Sequence, residues 1–230
     1  TVRGLFAQLI HCSSEHVAII PAVSYGIALA AKNLPVSQGQ RIVVIEDQFP
    51  SNVYSWKRIA NEKKGRIQTV KRPADHDWTR SVIEAINSKT AIVAVPNCHW
   101  TDGTLLDLVQ IGKACRGHGA ALVIDGTQAL GAMPFSIQEV KPDFVATAAH
   151  KWLLGPYSFG FCYIAPEWQK GTPLEENWLN REGSEDFSRL VDYRDNYQPG
   201  ARRFDMGGAS NFFLSPITEV ALTKLLEWNL

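Results

Sequence analysis

A chain of 230 residues with 45% apolar and 20% charged side chains carries enough material for a full hydrophobic core, and its 23 basic and 23 acidic residues cancel, leaving no electrostatic footprint for nucleic acid. No apolar run reaches the roughly 18 residues that span a bilayer, and the start TVRGLFAQLIHCSSEH lacks the pattern of a secretory signal. The four cysteines, Cys12, Cys98, Cys115 and Cys162, have no CxxC spacing, which argues against a disulfide framework and a metal site, so a cytoplasmic protein without membrane, metal or nucleic-acid partner is expected.

Short β-branched runs alternate with segments of helical period. HVAII (16–20), RIVVIE (41–46), RIQTV (66–70), TAIVAVP (90–96), AALVID (120–125), DFVATA (143–148) and FGFCYI (159–164) are strand candidates, apolar without interruption as strands covered on both faces should be. Between them YGIALAAKNL, SNVYSWKRIANEKK, WTRSVIEAINS and LLDLVQIGKACRGHG have helical spacing, the last stopping in a Gly-rich basic turn. This alternation predicts an α/β fold, a three-layer sandwich around a mostly parallel sheet of about seven strands. From Pro166 to Arg203 the pattern dissolves into charged and aromatic residues, a stretch longer than the roughly 12–15 residues of an ordinary loop, so it is functional or docks on something.

Ligands of open parallel sheets sit beyond the carboxyl ends of the strands. The polar residues that follow the strand candidates therefore form one converging set: Ser24, Gln48 with Phe49, Asn97 to Trp100, Asp125 with Gln128, and His150 with Lys151. The set holds a fixed acid, an amine suited to Schiff-base chemistry, an aromatic ring and a hydroxyl beside a helix start. Pyridoxal phosphate asks for these parts. Taken singly, Asp125 reads as a helix cap, Lys151 as a solvated lysine and His150 as a core histidine; their joint placement favours a site.

DGTQ (125–128) followed by HKWLLGP (150–156) resembles, in order and spacing, the fold-type I pyridoxal-phosphate enzymes of aminotransferase class V, which include cysteine desulfurases, selenocysteine lyases and isopenicillin N epimerase-like proteins. The resemblance implies that Lys151 carries the cofactor as a Schiff base, Asp125 pairs with the pyridinium nitrogen, Gln128 contacts the ring hydroxyl and His150 helps hold the phosphate. PAVSYGIAL (21–29) is similar to the family's first phosphate-binding turn, with Ser24 in the hydroxyl position, a role compatible with simple helix capping. EDQFPSNVYSW (46–56) is similar to the segment that supplies a ring-stacking residue, which makes Phe49 either that residue or a core aromatic. RRFDMGGASNFF (202–213) resembles the segment by which relatives reach the phosphate of a dimer partner, with Gly208 and Ser210 as candidates.

The departures from the family pattern are as specific. Ala148 stands where relatives have a Ser or Thr, and Thr147 is the neighbouring hydroxyl expected to substitute. PNCHWTDGT (96–104) has Trp100 where many relatives have Asn; His99 and Trp100 are read as a lid wall or as substrate contacts, and Cys98 as an inert thiol. The resemblance implies a homodimer acting on an amino acid or amine as a lyase, epimerase or aminotransferase. A catalytically silent scaffold and a cysteine desulfurase are the alternatives. Residues 1–214 are expected to be the cofactor-binding large domain, and SPITEVALTKLLEWNL (215–230) a helix leading toward a small C-terminal domain that this chain does not contain.

Overall fold

The computed structural model describes residues 1–229. In chain order the elements are α1 (Val2–Leu9), β1 (Val17–Ile20), α2 (Val23–Asn33), β2 (Arg41–Ile45), α3 (Tyr54–Glu62), β3 (Arg66–Val70), α4 (Trp78–Ala85), β4 (Thr90–Pro96), α5 (Leu108–His118), β5 (Ala121–Asp125), α6 (Ile137–Val140), β6 (Phe144–Ala148), β7 (Gly160–Ile164) and α7 (Leu214–Glu227). Among the described residues seven strands form one sheet in the order β1-β7-β6-β5-β4-β2-β3. All adjacent pairs are parallel except those of β7, which runs antiparallel to both β1 and β6.

Alternation along each strand divides the core into two layers. Ile42 and Val44 of β2, Ile92 and Ala94 of β4, and Ala146 of β6 face α2 and α3, where Ile27, Leu29, Trp56 and Ile59 close over them. Val43, Ile45, Val93, Val95 and Val145 face the other way, onto a layer that includes Phe6, Val82, Ile111 and Leu222. Burial on both faces is why these strands are continuous apolar runs. The helices have identifiable ends: Asp77 and Asp107 accept from Arg80 N and Gln110 N to cap α4 and α5, and α5 stops at Gly119 with φ of 68°.

Two local features set the geometry of the upper sheet rim. A Cβ on Gly26 would lie 2.7 Å from Ala146 Cβ, so only glycine lets α2 press this closely onto β6. At the outer edge, Asp205 accepts the backbone N–H of Ile19 at 2.8 Å and both terminal nitrogens of Arg3, at 3.1 and 2.7 Å, while Met206 N donates to Ile19 O at 3.0 Å. The segment around Asp205 thus covers the open side of β1, which would otherwise be a bare strand edge. Residues 166–203 form short 3-10 turns rather than a structureless loop, joined by a bridge between Arg181 and Tyr197. No helix among the described residues is long and apolar enough to cross a membrane.

Candidate active site

The carboxyl ends of the parallel strands β1, β4, β5 and β6 meet the start of β7 around a cavity of about 470 Å³, within the roughly 300–1,000 Å³ usual for cofactor and ligand sites. Ser24, Phe49, Trp100, Asp125, Gln128, His150 and Lys151 line it together, though they come from five separate stretches of sequence.

Asp125 ends β5, paired in register with Pro96 of β4, and its side chain is buried. Its Oδ1 accepts the N–H of Thr127 at 3.0 Å. Burial pushes the carboxyl above the ordinary carboxylate range, opposed by hydrogen bonding from Thr127 and by the charge of Lys151. The buried Thr127 hydroxyl forms no hydrogen bond of normal geometry, and the buried Gln48 Oε1, also in the wall, has no partner. Such groups are costly unless something polar meets them.

Lys151 and His150 follow β6 in a closed turn, with Gly155 N donating to Ala149 O at 2.8 Å and Leu154 N to Lys151 O at 3.0 Å. The His150 ring stacks on Tyr157, centroids 3.8 Å apart and planes 17° apart. Burial, and then the charge of Lys151, hold the imidazole below the usual histidine range, so it is neutral at neutral pH. Lys151 Nζ lies 5.6 Å from the centroid of the Phe49 ring. Phe49 in turn meets Trp100 edge-to-face at 5.5 Å, and the Trp100 indole donates to Asp47 O at 2.6 Å.

His99 does not join the wall. It is fully buried, stacks on Trp78 at 5.3 Å, meets Glu46 O through Nε2 at 3.1 Å and pairs with the Thr101 hydroxyl through Nδ1 at 2.9 Å. Neighbouring residues in an extended turn point to opposite sides, so Trp100 lines the cavity while His99 fastens the turn beneath it. Arg72 ties the same turn to Asp47 at 3.5 Å and to Asp102. Burial alone would raise the Asp102 carboxyl, but hydrogen bonds from Thr104 and Arg72, with His99 nearby, hold it down at about 2.

The first turn of α2 supplies the anion-facing side. Its cap residue, Ala22, makes no side-chain hydrogen bond, Val23 and Ser24 lie in the cavity wall, and their N–H groups precede the first helical bond, which Tyr25 N makes to Ala22 O at 3.0 Å. Thr147 does not substitute for the hydroxyl absent at Ala148: it is fully buried, its Oγ1 donates to Ala148 O at 3.5 Å, and strand alternation turns it away from the cavity that Ala148 lines. Ser210 and Gly208 are exposed and lie outside this chain's own cavity, Gly208 with φ of 79°. The cavity also takes in Thr127, Cys98, Tyr157 and Ser158. Thr127 was readable from its place beside Asp125, Tyr157 and Ser158 only from the fold.

A family model described as Aminotransferase class-V matches residues 1–178. The chain belongs to the aminotransferase class-V family. Its class-V relatives include the uncharacterized aminotransferase YcbU of Bacillus subtilis, 27% identical over 98% of this chain and 58% of that protein. Isopenicillin N epimerase of Streptomyces clavuligerus is 24% identical over 90% of this chain and 53% of its own length. Two solved structures of the cystine C-S lyase C-DES share the fold: one with its product cysteine persulfide (TM-score 0.84, 21% identity, 98% of this chain and 60% of that one), the other with glycine covalently linked to its PLP cofactor (TM-score 0.83, 20% identity, 99% and 59%). The class-V chain described here thus spans about three fifths or less of the length of these relatives.

Class-V enzymes are dependent on pyridoxal phosphate, and the residues present fit that group. A buried, under-compensated carboxylate suits a ring nitrogen that carries a proton, the Thr127 hydroxyl and Gln48 Oε1 are buried polar atoms in want of partners, and the uncapped start of α2 suits a phosphate.

Proposed function

We propose that this chain holds pyridoxal phosphate through Lys151 and serves an enzyme that acts on an amino acid or amine as a lyase, epimerase or aminotransferase. The observation that carries the reading is one cavity with Asp125 buried on its floor, Lys151 on its wall and the uncapped start of α2 at its other end. Bound there, the cofactor would supply an electron sink for the bonds at the substrate's α-carbon.

The chain's own residues divide the remaining work. Asp125, paired with a protonated ring nitrogen, gains the counter-charge that its burial otherwise withholds. Gln128 would hold the ring oxygen and Phe49, edge-braced by Trp100, would pack against the ring, both lining the cavity with Asp125 and Lys151. The neutral His150 and the α2 N–H groups with Ser24 receive the phosphate. Lys151 Nζ carries the proton to and from the α-carbon. Trp100 and Phe49 limit water and set what shape of side chain enters. Cys98 lines the wall, but burial first and then Asp102 raise its thiol, so it offers little thiolate, and a desulfurase reading is less well supported. A catalytically silent scaffold remains the competing reading that the chemistry below separates.

A cytoplasmic homodimer is part of the proposal. All four thiols are free, and Phe212 and Phe213, exposed at 90% and 83%, flank the Gly208–Ser210 turn that would reach a partner's phosphate. The test is spectroscopic: the protein mixed with pyridoxal phosphate should show a visible absorbance band that borohydride discharges onto one peptide, the one containing Lys151. Lys151→Ala should lose the band and keep its circular dichroism; a band that survives the substitution overturns the reading. A panel of amino acids assayed for pyruvate, sulfide, inverted isomer and keto acid then assigns the reaction, and silence across the panel with a normal band favours the scaffold.

A further inference from the structure

The β6–β7 rim holds a residue in an unusual backbone state. Ser158 has φ of 60°, a left-handed conformation that a side chain adopts at a cost, and it lines the cavity. Leu154 is also left-handed, with φ of 56°, but lies outside the cavity, so conformation alone does not single Ser158 out; its place beside the ladder's end does. Ala148 pairs with Gly160, and Ala149 N donates to Phe159 O at 2.8 Å, which continues the antiparallel register one step further. Beyond that step the ladder ends, Ala149 O accepting Gly155 N instead, and His150 and Ser158 follow on the two arms, both lining the cavity beside Ala148. Ala148 and Gly160 bring no polar atom there, because a Cβ on Gly160 would lie 2.4 Å from Thr147 O and position 148 has only a methyl group. Of residues 148, 150, 158 and 160, Ser158 alone carries a hydroxyl.

The start of α2 reaches the same level. Gly26 sits against Ala146 and Cys162, which are a register pair of β6 and β7. Three residues back along the helix is about 4.5 Å, and two residues up the strand about 6.6 Å, so Val23 stands near the height of Ala148. The uncapped helix start, His150 and Ser158 thus face one volume.

We infer that Ser158 is a phosphate-binding residue: it delivers from β7 the hydroxyl that position 148 lacks, and its left-handed backbone is retained for that contact. This rests on the pyridoxal-phosphate reading above. The backbone strain and the hydroxyl separate experimentally, since glycine at this position removes both and alanine removes only the hydroxyl.

The experiment compares wild type, Ser158→Ala, Ser158→Gly and Ser158→Gly with Ala148→Ser, measuring dissociation constants for pyridoxal phosphate and for pyridoxal, with melting temperatures of the cofactor-free forms. The expected result is a loss of about tenfold or more in affinity for pyridoxal phosphate in both single variants, with pyridoxal affinity unchanged. Ser158→Gly alone should melt a few degrees higher than wild type, and Ala148→Ser should restore tight binding. Wild-type affinity for pyridoxal phosphate in both single variants, or equal weakening toward pyridoxal, overturns the inference and leaves the cofactor reading standing. A wild-type protein that binds no pyridoxal phosphate overturns the cofactor reading itself.

Discussion

Two aspartates of nearly equal burial are treated in opposite ways. Asp205, 5% exposed, receives three hydrogen bonds, two of them from the guanidinium of Arg3. Asp125, 7% exposed, has only the turn of Thr127 and the distant charge of Lys151, and its carboxyl is raised by burial. One acid is finished by the chain and closes the β1 edge. The other is left short of partners at the floor of a cavity. A buried carboxyl whose shell the chain does not complete costs the fold stability, which marks Asp125 as a candidate position for a ligand.

The sharpest way to break the comparison is Asp205→Ala. It strands Arg3 and the Ile19 N–H, and urea unfolding should show a loss of about 3–5 kcal/mol. Asp125→Asn should do the reverse in the cofactor-free protein, a gain of roughly 1–3 kcal/mol at pH 8, because the amide still accepts from Thr127 while the buried charge is gone. The sign fixes the pH window: a carboxyl whose folded value is raised loses stability for the fold as pH climbs from the ordinary carboxylate value through the raised one. The advantage of the asparagine should therefore vanish below about pH 4, and cofactor affinity should fall where wild type is strongest. A smaller effect belongs to Asp102, whose carboxyl is held at about 2. Its contribution is present above the ordinary carboxylate value and lost as pH falls toward 2, so Asp102→Asn should cost about 1 kcal/mol at pH 7 and flatten that acid limb. The least expected change is Thr127→Val, within about 0.5 kcal/mol for the cofactor-free protein, since its hydroxyl has no normal hydrogen bond to lose. Equal responses at Asp205 and Asp125 would erase the distinction.

Most of this architecture is legible in the residues. The seven apolar runs became the seven strands within a residue or two at their ends, and the four helical patterns became α2 to α5. The antiparallel course of β7 was the exception in a mostly parallel sheet. Burial on both faces makes its run GFCYI look like any other central strand, and the short, Gly-Pro-interrupted connection from 149 to 159, too brief for a helical crossover, was the signal. Helix α6, at four residues, is shorter than the period that would reveal it. At the site, residues marked by strand ends, such as Asp125 and Lys151, were readable because the chain direction puts strand ends in one place. His99 and Thr147 were misplaced because sequence proximity says nothing of which side of a strand or turn a side chain takes. Ser158 was hidden because its meaning lies in the register between two strands, not in either alone.

The cover over β1 has a consequence for the order of events on the ribosome. β1 is made first, yet its neighbour β7 begins at Gly160 and the Asp205 that occupies its open edge comes 186 residues after Ile19. At a synthesis rate of roughly 5–20 residues per second, the apolar segment VAII waits on the order of ten to forty seconds for the residues that will shield it. During that interval the growing polypeptide presents an unprotected strand, whose open side is covered only when the RRFDMGG stretch arrives.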